Sequence, residues 1–478
     1  MSACLPPGAV RRLCGFGRTT CADGYVLRPE SVEAAQEVLS LAQRAGRNVV
    51  LRGAGRSYGD ASLLPEAVVI DTCDLARILA WSPDTGRMVC EPGVTLEDIC
   101  RRAMGEGWWL PVVSGTMKTT VGGALAMNIH GKNAFRAGPF GCHASSIEVL
   151  LPTGRSTELR SNDPAFRAVV GSAGLLGLIT KAEIQLKRVL SGRLRVTPIS
   201  CRNWNDQFRA FEERTDEEYC VSWIDGMARG PTAGRGLFHS ARHEDAPHAP
   251  SLDWASQQLP ARIAGVVPKS TVWRVLRLFN NDPGMRLLNS LKHLGGKRGS
   301  GRPYLQSLAE FSFLLDYVPN WELAYGRRGF IQYQSFVPSD SAQEVFESQV
   351  GRLQSEGTPS YLCVLKRHRP DEFLFSHGVE GFSLALDIKV PAQGWGHLER
   401  VCHALNDEVL QAGGRFYLAK DSTLRATDFA RSLGEGAIEE FFRWKREFDP
   451  EGVLSSSLAR RLGLEPIRVQ SPRTQGAM

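Results

Sequence analysis

Several features are scarce or missing in this 478-residue chain, and each absence closes off a class of function. There are 11 cysteines but no C-x-x-C pair, and they are scattered. A metal centre or a disulfide framework would need them clustered, so the sequence predicts reduced cysteines filling the core and no bound metal. No apolar run reaches the roughly 18–20 residues needed to cross a bilayer. Arg11, Arg12 and Arg18 interrupt the N-terminus, which has no continuous apolar stretch. Neither a transmembrane segment nor a secretory signal is expected, and a cytoplasmic location follows. The formal net charge is only +6 and the basic residues are dispersed, which argues against nucleic acid as a partner. Neither G-x-G-x-x-G opening a helix nor G-x-x-x-x-G-K-[ST] occurs, so a nicotinamide Rossmann site and a P-loop are disfavoured. No internal repeat is visible. What remains, 42% hydrophobic and 23% charged, is an ordinary globular composition with room for two or three domains.

The most informative stretch present is Arg52-Gly53-Ala54-Gly55-Arg56-Ser57-Tyr58-Gly59-Asp60, between the apolar runs 49–51 and 68–70. A glycine-rich turn between strands lets main-chain N–H groups approach a phosphate, because glycine accepts positive φ and carries no side chain to block the anion. Upstream, residues 31–46 read as a helix capped by Ser31 and closed by Gly46. Thr95 to Asp98 resembles a capping box opening a helix to about residue 105. Residues 88–90, 146–151 and 178–186 read as strands, so the first 190 or so residues alternate α and β. Residues 226–262 lack periodicity. The basic, glycine-rich stretch 295–303 reads as a mobile surface loop. Alternation returns at 330–334 and 382–388, helices are expected over 398–412 and 438–448, and Pro450 ends the last one.

Two further glycine clusters, 114–124 and 171–177, would bring backbone to a long ligand from other sides. Hydroxyls of Ser114, Thr116, Thr119 and Thr120 add donors suited to phosphate and ribose. Asn128-Ile129-His130-Gly131-Lys132-Asn133 looks like a strand end or turn opening on a cavity. Residues 416–422 carry Lys420 off an apolar strand, where partial desolvation would lower its pKa and let it handle a hydroxyl proton.

In this order and over nearly the whole chain, these motifs resemble the vanillyl-alcohol-oxidase/para-cresol-methylhydroxylase type of FAD oxidoreductase. Within it they are most similar to the decaprenylphosphoryl-β-D-ribose oxidase group. Residues 52–60, 111–123, 129–133, 329–334, 417–422 and 457–462 carry the resemblance. It implies an α+β fold: a two-part FAD-binding domain of PCMH type from residues 1–190 and 416–478, and an antiparallel-sheet substrate domain with covering helices over 191–415. It also implies FAD contacts from Arg52, Gly53, Ala54, Gly55, Arg56, Ser57, Tyr58, Gly115, Thr116, Thr120, Gly122, Gly123, His130, Asn133, Gly177, Ile179 and Lys420. Substrate contacts would come from Lys132, Trp223, Gln334, Lys366 and Asp387. Lys420 and His130 would be catalytic, handling the hydroxyl proton of a secondary alcohol on a sugar while its hydride passes to flavin N5.

The chain departs from the family pattern at three places. Arg56 stands where many relatives carry the histidine that bonds flavin, so FAD is expected to be non-covalent. Ala385 replaces a cysteine near the flavin, and Ser312 replaces an aromatic residue ahead of Asp316. The implied substrate is a polyprenyl-phosphate-linked pentose, with an NAD-dependent reductase partner completing an epimerisation. Segments 226–262 and 283–303 would act as lids, and Lys297, Arg298 and Arg302 would make peripheral contact with the inner membrane. The alternatives are a soluble sugar, alditol or aldonolactone oxidase of the same fold, and a flavin-binding protein without turnover.

Overall fold

Ser31 shows how a local signal becomes architecture. Its Oγ accepts the Ala34 amide at 3.1 Å and starts the helix Val32–Arg44. Ala35, Leu39 and Ala42 of that helix turn inward. In this computed structural model, which describes residues 5–244, 252–259, 261–263 and 267–465, the helix links two strands of a four-stranded sheet. Its order is Val10–Cys14, Cys21–Leu27, Val68–Asp71 and Val49–Arg52, the last three running parallel. The glycine-rich turn leaves the end of Val49–Arg52 and is carried by a buried apolar strand, as expected.

A second, antiparallel sheet orders Ile78–Ser82, Arg87–Cys90, Leu178–Gln185, Ala144–Leu150 and Ser156–Arg160. The capping box forms: Thr95 Oγ1 accepts the Asp98 amide at 3.1 Å and Asp98 Oδ2 accepts the Thr95 amide at 3.0 Å. The third sheet has eight antiparallel strands, from Tyr304–Ser307 through Arg193–Cys201, Gly236–His243, Tyr219–Ile224, Ser360–His368, Gly381–Lys389 and Phe330–Pro338 to Arg415–Phe416. The helices Ser339–Ser355 and Trp395–Gln411 cover one face with Phe346, Leu353, Leu398 and Leu405. The opposite face is left for the site.

The carboxyl-terminal segment returns to the first two sheets. Lys445, 1% exposed, donates to Leu175 O, Asp449 Oδ2 and Leu454 O at 2.7–2.8 Å. The Ser455 amide bonds Val49 O at 3.0 Å.

Three expectations are corrected. Residues 295–299 do not form a loop, because the helix Asp282–Gly299 runs through Gly295 and Gly296 and ends on Gly299. Gly296 is there for close approach: a Cβ would sit 2.4 Å from the Leu237 side chain. Residues 226–262 are not uniformly loose, since Gly236–His243 is an interior strand; positions 245–251 and 260 of that stretch lie outside the described residues. The polar run 128–133 follows the helix Val121–Ala126 and includes turns, one of the two settings expected for it. Finally, the cysteines are not all reduced. Cys14 and Cys21 face each other across the first hairpin and form a disulfide. The cross-strand register makes that pair, which C-x-x-C counting cannot see. Among the described residues, no group of ligating side chains could hold a metal ion, and no helix is long and apolar enough to cross a membrane.

Candidate active site

Strand alternation builds the floor of the site. Residues two apart point to one face, and the register aligns Trp223, Val364, Ala385 and Gln334 in a row across four strands. With Gln332 and Lys366 they form one side of a cavity of about 550 Å³. The glycine segments form the other side. Arg52, Gly53, Ala54, Gly55, Arg56, Ser57, Tyr58, Gly115, Thr116, Thr120, Gly122, Gly123, Gly177 and Ile179 all line it, as do His130, Lys132 and Lys420. Nearly every candidate read from sequence is therefore brought to one cavity.

Two candidates are not on its wall. Asn133 is buried behind it, donating to Pro111 O at 2.8 Å. Asp387 shares the sheet face of Ala385 but sits beside the cavity, where its Oδ1 accepts from Gln332 Nε2. Four hydroxyls expected to face a ligand turn out to be occupied in part. Ser114 and Thr119 bond each other at 2.9 Å, Thr116 Oγ1 bonds Asp316 at 2.8 Å, and Thr120 Oγ1 accepts the Gly123 amide at 3.3 Å. They shape the loop, which leaves the backbone to meet the ligand.

That backbone fits the pyrophosphate of FAD. The amides of Ala54, Gly55 and Arg56 donate to no acceptor among the described residues, and Arg56 Nε is buried and unpartnered. Gly55 has φ +65°, and a Cβ on it would meet the Arg52 guanidinium at 2.2 Å. A Cβ on Gly53 would meet Thr120 Oγ1 at 2.3 Å. A row of free N–H groups in a glycine turn is an anion-binding concavity.

The electrostatics are lopsided. Four lysines (Lys132, Lys292, Lys366 and Lys420) line the cavity, and among the described residues no aspartate or glutamate does. Burial pushes Lys132 down to about 7 and Lys366 down to about 8. Lys420 is lowered by burial and by the charge of Lys366, while the nearby charge of Asp387 opposes the fall. Burial raises the Asp387 carboxyl, against the Gln332 hydrogen bond and the charge of Lys420. The Lys420 ammonium lies 3.9 Å from the centroid of the Tyr58 ring, and the Tyr58 amide bonds Ala419 O at 2.9 Å. The phosphate turn and the lysine are thus tied together.

His130 is 7% exposed and its pKa is held well below 6.5, first by burial and then by Lys366 and neighbouring histidines. It stays a neutral imidazole. Gln334 Nε2 lies 3.2 Å from its Nε2 and bonds Ser383 Oγ at 3.1 Å, which in turn meets His368 Nε2 at 2.8 Å. His368, His377 and Tyr417 ring His130 with centroids 4.9, 5.3 and 5.1 Å away. Sequence reasoning missed His368, His377, His239 and Lys292. The strand alternation Val364-x-Lys366 was readable, but only the sheet register shows which strands neighbour it. Lys292 sits on the helix that its glycines disguised as a loop, 4.2 Å from the Trp223 ring centroid.

A family model described as an FAD binding domain matches residues 24–160. The chain is 32% identical over 97% of its length to the whole of the decaprenylphosphoryl-beta-D-ribose oxidase of Mycolicibacterium smegmatis. A putative D-arabinono-1,4-lactone oxidase of Neurospora crassa is 22% identical, over 95% of this chain and 85% of its own. An L-gulono-1,4-lactone dehydrogenase of Mycobacterium tuberculosis is 24% identical, over 50% and 53%. With an FAD cradle of fitting geometry and a relative matched end to end, the chain belongs to the family of FAD-dependent oxidoreductases that includes the decaprenylphosphoryl-β-D-ribose oxidases.

Proposed function

We propose that this enzyme oxidises a secondary alcohol of a polyprenyl-phosphate-linked pentose to the ketone. One observation carries the substrate class: a cavity with four lysines and no carboxylate on its wall suits an anionic substrate. A neutral lactone or alditol would leave those cations without a partner. The oxidase relative is named for a phosphoryl-linked ribose, which supports the same reading.

In this proposal residues 1–190 and 416–478 hold FAD without a covalent bond, and residues 191–415 form the substrate domain. Bound FAD supplies the two-electron oxidation by taking the carbon-bound hydrogen with its electron pair. The hydroxyl proton is left to this chain. Lys420, lowered by burial, accepts it as a neutral amine, and neutral His130 orients the hydroxyl. Lys132 and Lys366 hold the phosphate. Trp223 and Gln334 position the sugar, and Asp387 acts from beside the cavity by setting the charge of Lys420. A ketone product calls for an NAD-dependent reductase as the next enzyme if the sugar is to be re-reduced at the same carbon.

The test is anaerobic bleaching of the flavin band by a polyprenyl-phosphate-linked ribose, beside free pentoses, alditols and aldonolactones. Bleaching by the phosphorylated substrate at far lower concentration than by the others supports the proposal. Equal or better reduction by an aldonolactone overturns it, and no reduction by any of them would leave a flavin-binding protein without turnover. Acid precipitation of the same sample should release the yellow cofactor.

A further inference from the structure

Among the described residues, twelve large hydrophobics are conspicuously exposed, and nine of them fall between residues 267 and 314. They concentrate on the helices Lys269–Phe279 and Asp282–Gly299. Leu287, Leu291 and Leu294 follow i, i+4, i+7 spacing, one stripe along the second helix. Val275 and Leu278 make a shorter stripe on the first. Leu278 is 75% exposed and Leu291 57%, far beyond what an isolated surface leucine needs explaining. Arg274, Arg277, Arg286, Lys297, Arg298 and Arg302 are exposed beside these stripes, and none forms an ion pair with a described residue. Between 267 and 305 the only acidic residue is Asp282.

We infer that the outer face of this helical pair docks on the anionic surface of a lipid bilayer. Leucine stripes flanked by unpaired cations, with almost no acid, match an interfacial helix: the apolar side chains enter the headgroup boundary and the cations meet lipid phosphates. A protein partner would ordinarily be met by mixed charges and hydrogen-bonding groups. The inner face of the second helix is already committed. Asn289 donates to Asp225 at 2.7 Å, Gly296 abuts Leu237, and Lys292 lines the cavity. The helix that faces outward with leucine is thus itself a wall of the site. Why the enzyme should meet a bilayer at all rests on the polyprenyl substrate proposed above, so the test is run without substrate.

The holoenzyme is mixed with vesicles of phosphatidylcholine alone or with added phosphatidylglycerol, and bound protein is measured by co-sedimentation. Binding to the phosphatidylglycerol vesicles is expected, falling as salt is raised. Leu278→Gln/Leu287→Gln/Leu291→Gln and Arg274→Gln/Arg277→Gln/Lys297→Gln/Arg298→Gln should each reduce it by roughly tenfold or more. Flavin content and spectrum should not change, since these side chains lie outside the cavity. Wild-type protein that ignores both vesicles overturns the inference, as does a leucine variant that binds like wild type. So does a wild-type oligomer that the leucine variant dissolves without any vesicle binding. If vesicle binding holds while phosphorylated sugars fail to bleach the flavin, only the substrate proposal falls.

Discussion

Arg461 joins three parts of the chain that are remote in sequence, and Arg461→Met should measure that junction. Its guanidinium grips Asp60, at the end of the phosphate turn, through Nε at 3.0 Å and Nη2 at 2.7 Å. Nη1 reaches Asp421, next to Lys420, at 2.8 Å and Leu424 O at 2.7 Å. The two partners describe the cluster differently. Two carboxylates hold Arg461 firmly charged, yet Asp60 lies above the usual carboxylate range because burial outweighs the arginine. Burial is the side to weigh, since the side chains of Asp60 and Asp421 are only 10% and 7% exposed. Removing the arginine then leaves two uncompensated carboxylates, a loss of the order of 3 kcal/mol, at the low end for buried pairs because Arg461 keeps 23% exposure. The sign with pH follows. Without Arg461 the Asp60 pKa rises further in the folded state, so the deficit is full at neutral pH and shrinks as pH falls through the folded-state pKa values, closing where Asp60 is protonated in wild type and variant alike. Denaturant titration followed by flavin fluorescence, repeated across pH, reads this directly. Arg461→Met/Asp60→Asn/Asp421→Asn should recover most of the loss, because asparagine keeps an acceptor for the Thr423 and Leu424 amides that Asp421 caps. A deficit below about 1 kcal/mol, or one that does not vary with pH, would refute the reasoning.

Asp387 opposes the burial-driven fall of the Lys420 pKa. Asp387→Asn should therefore move the acid limb of the kcat profile to lower pH while flavin content stays the same; a shift the other way, or none, would remove Asp387 from the charge balance of Lys420. No cysteine among the described residues lines the cavity, so thiol-directed reagents should leave turnover intact in the wild type and inhibit Ala385→Cys, with mass spectrometry locating the adduct on residue 385. Labelling of the wild type at Cys363 instead would show that the opposite face of its strand is reachable.

What the sequence disclosed was what depends on neighbours in the chain. Ser31 and Thr95 cap helices through atoms three residues away, and the turn at Gly53 and Gly55 needs its glycines for the same short-range reasons. Strand alternation at 382–388 likewise survived into the sheet. The residue roles in the cavity came instead from family resemblance, because cross-strand rows such as Trp223–Val364–Ala385–Gln334 join residues 141, 21 and 51 positions apart. Glycines misled where their purpose was packing rather than turning: Gly296 fits against Leu237 inside a helix, yet in sequence it reads as a breaker. The Cys14–Cys21 disulfide was hidden because a hairpin, not a spacing rule, brings the sulfurs together. Arg461 gave no local signal at all. Its two carboxylates lie 401 and 40 residues away, and only the folded chain makes it a junction.

The crowd of lysines resolves a conflict built into the chemistry. A base must be neutral to accept a proton, and an anionic substrate raises the pKa of any amine near it. Lys420 alone beside a phosphate would be held protonated and useless at neutral pH. Lys366 lowers both Lys420 and His130 by its own charge. In the proposed mechanism Lys132 and Lys366 would take up the phosphate, and their charges would cancel the field that otherwise restores the proton to Lys420. Asp387, kept off the wall, limits how far that lysine falls. Under the proposed roles, phosphate capture would fall to charged lysines and proton acceptance to a neutral one within one cavity, and a wall on which no described residue is a carboxylate is what would let the division work.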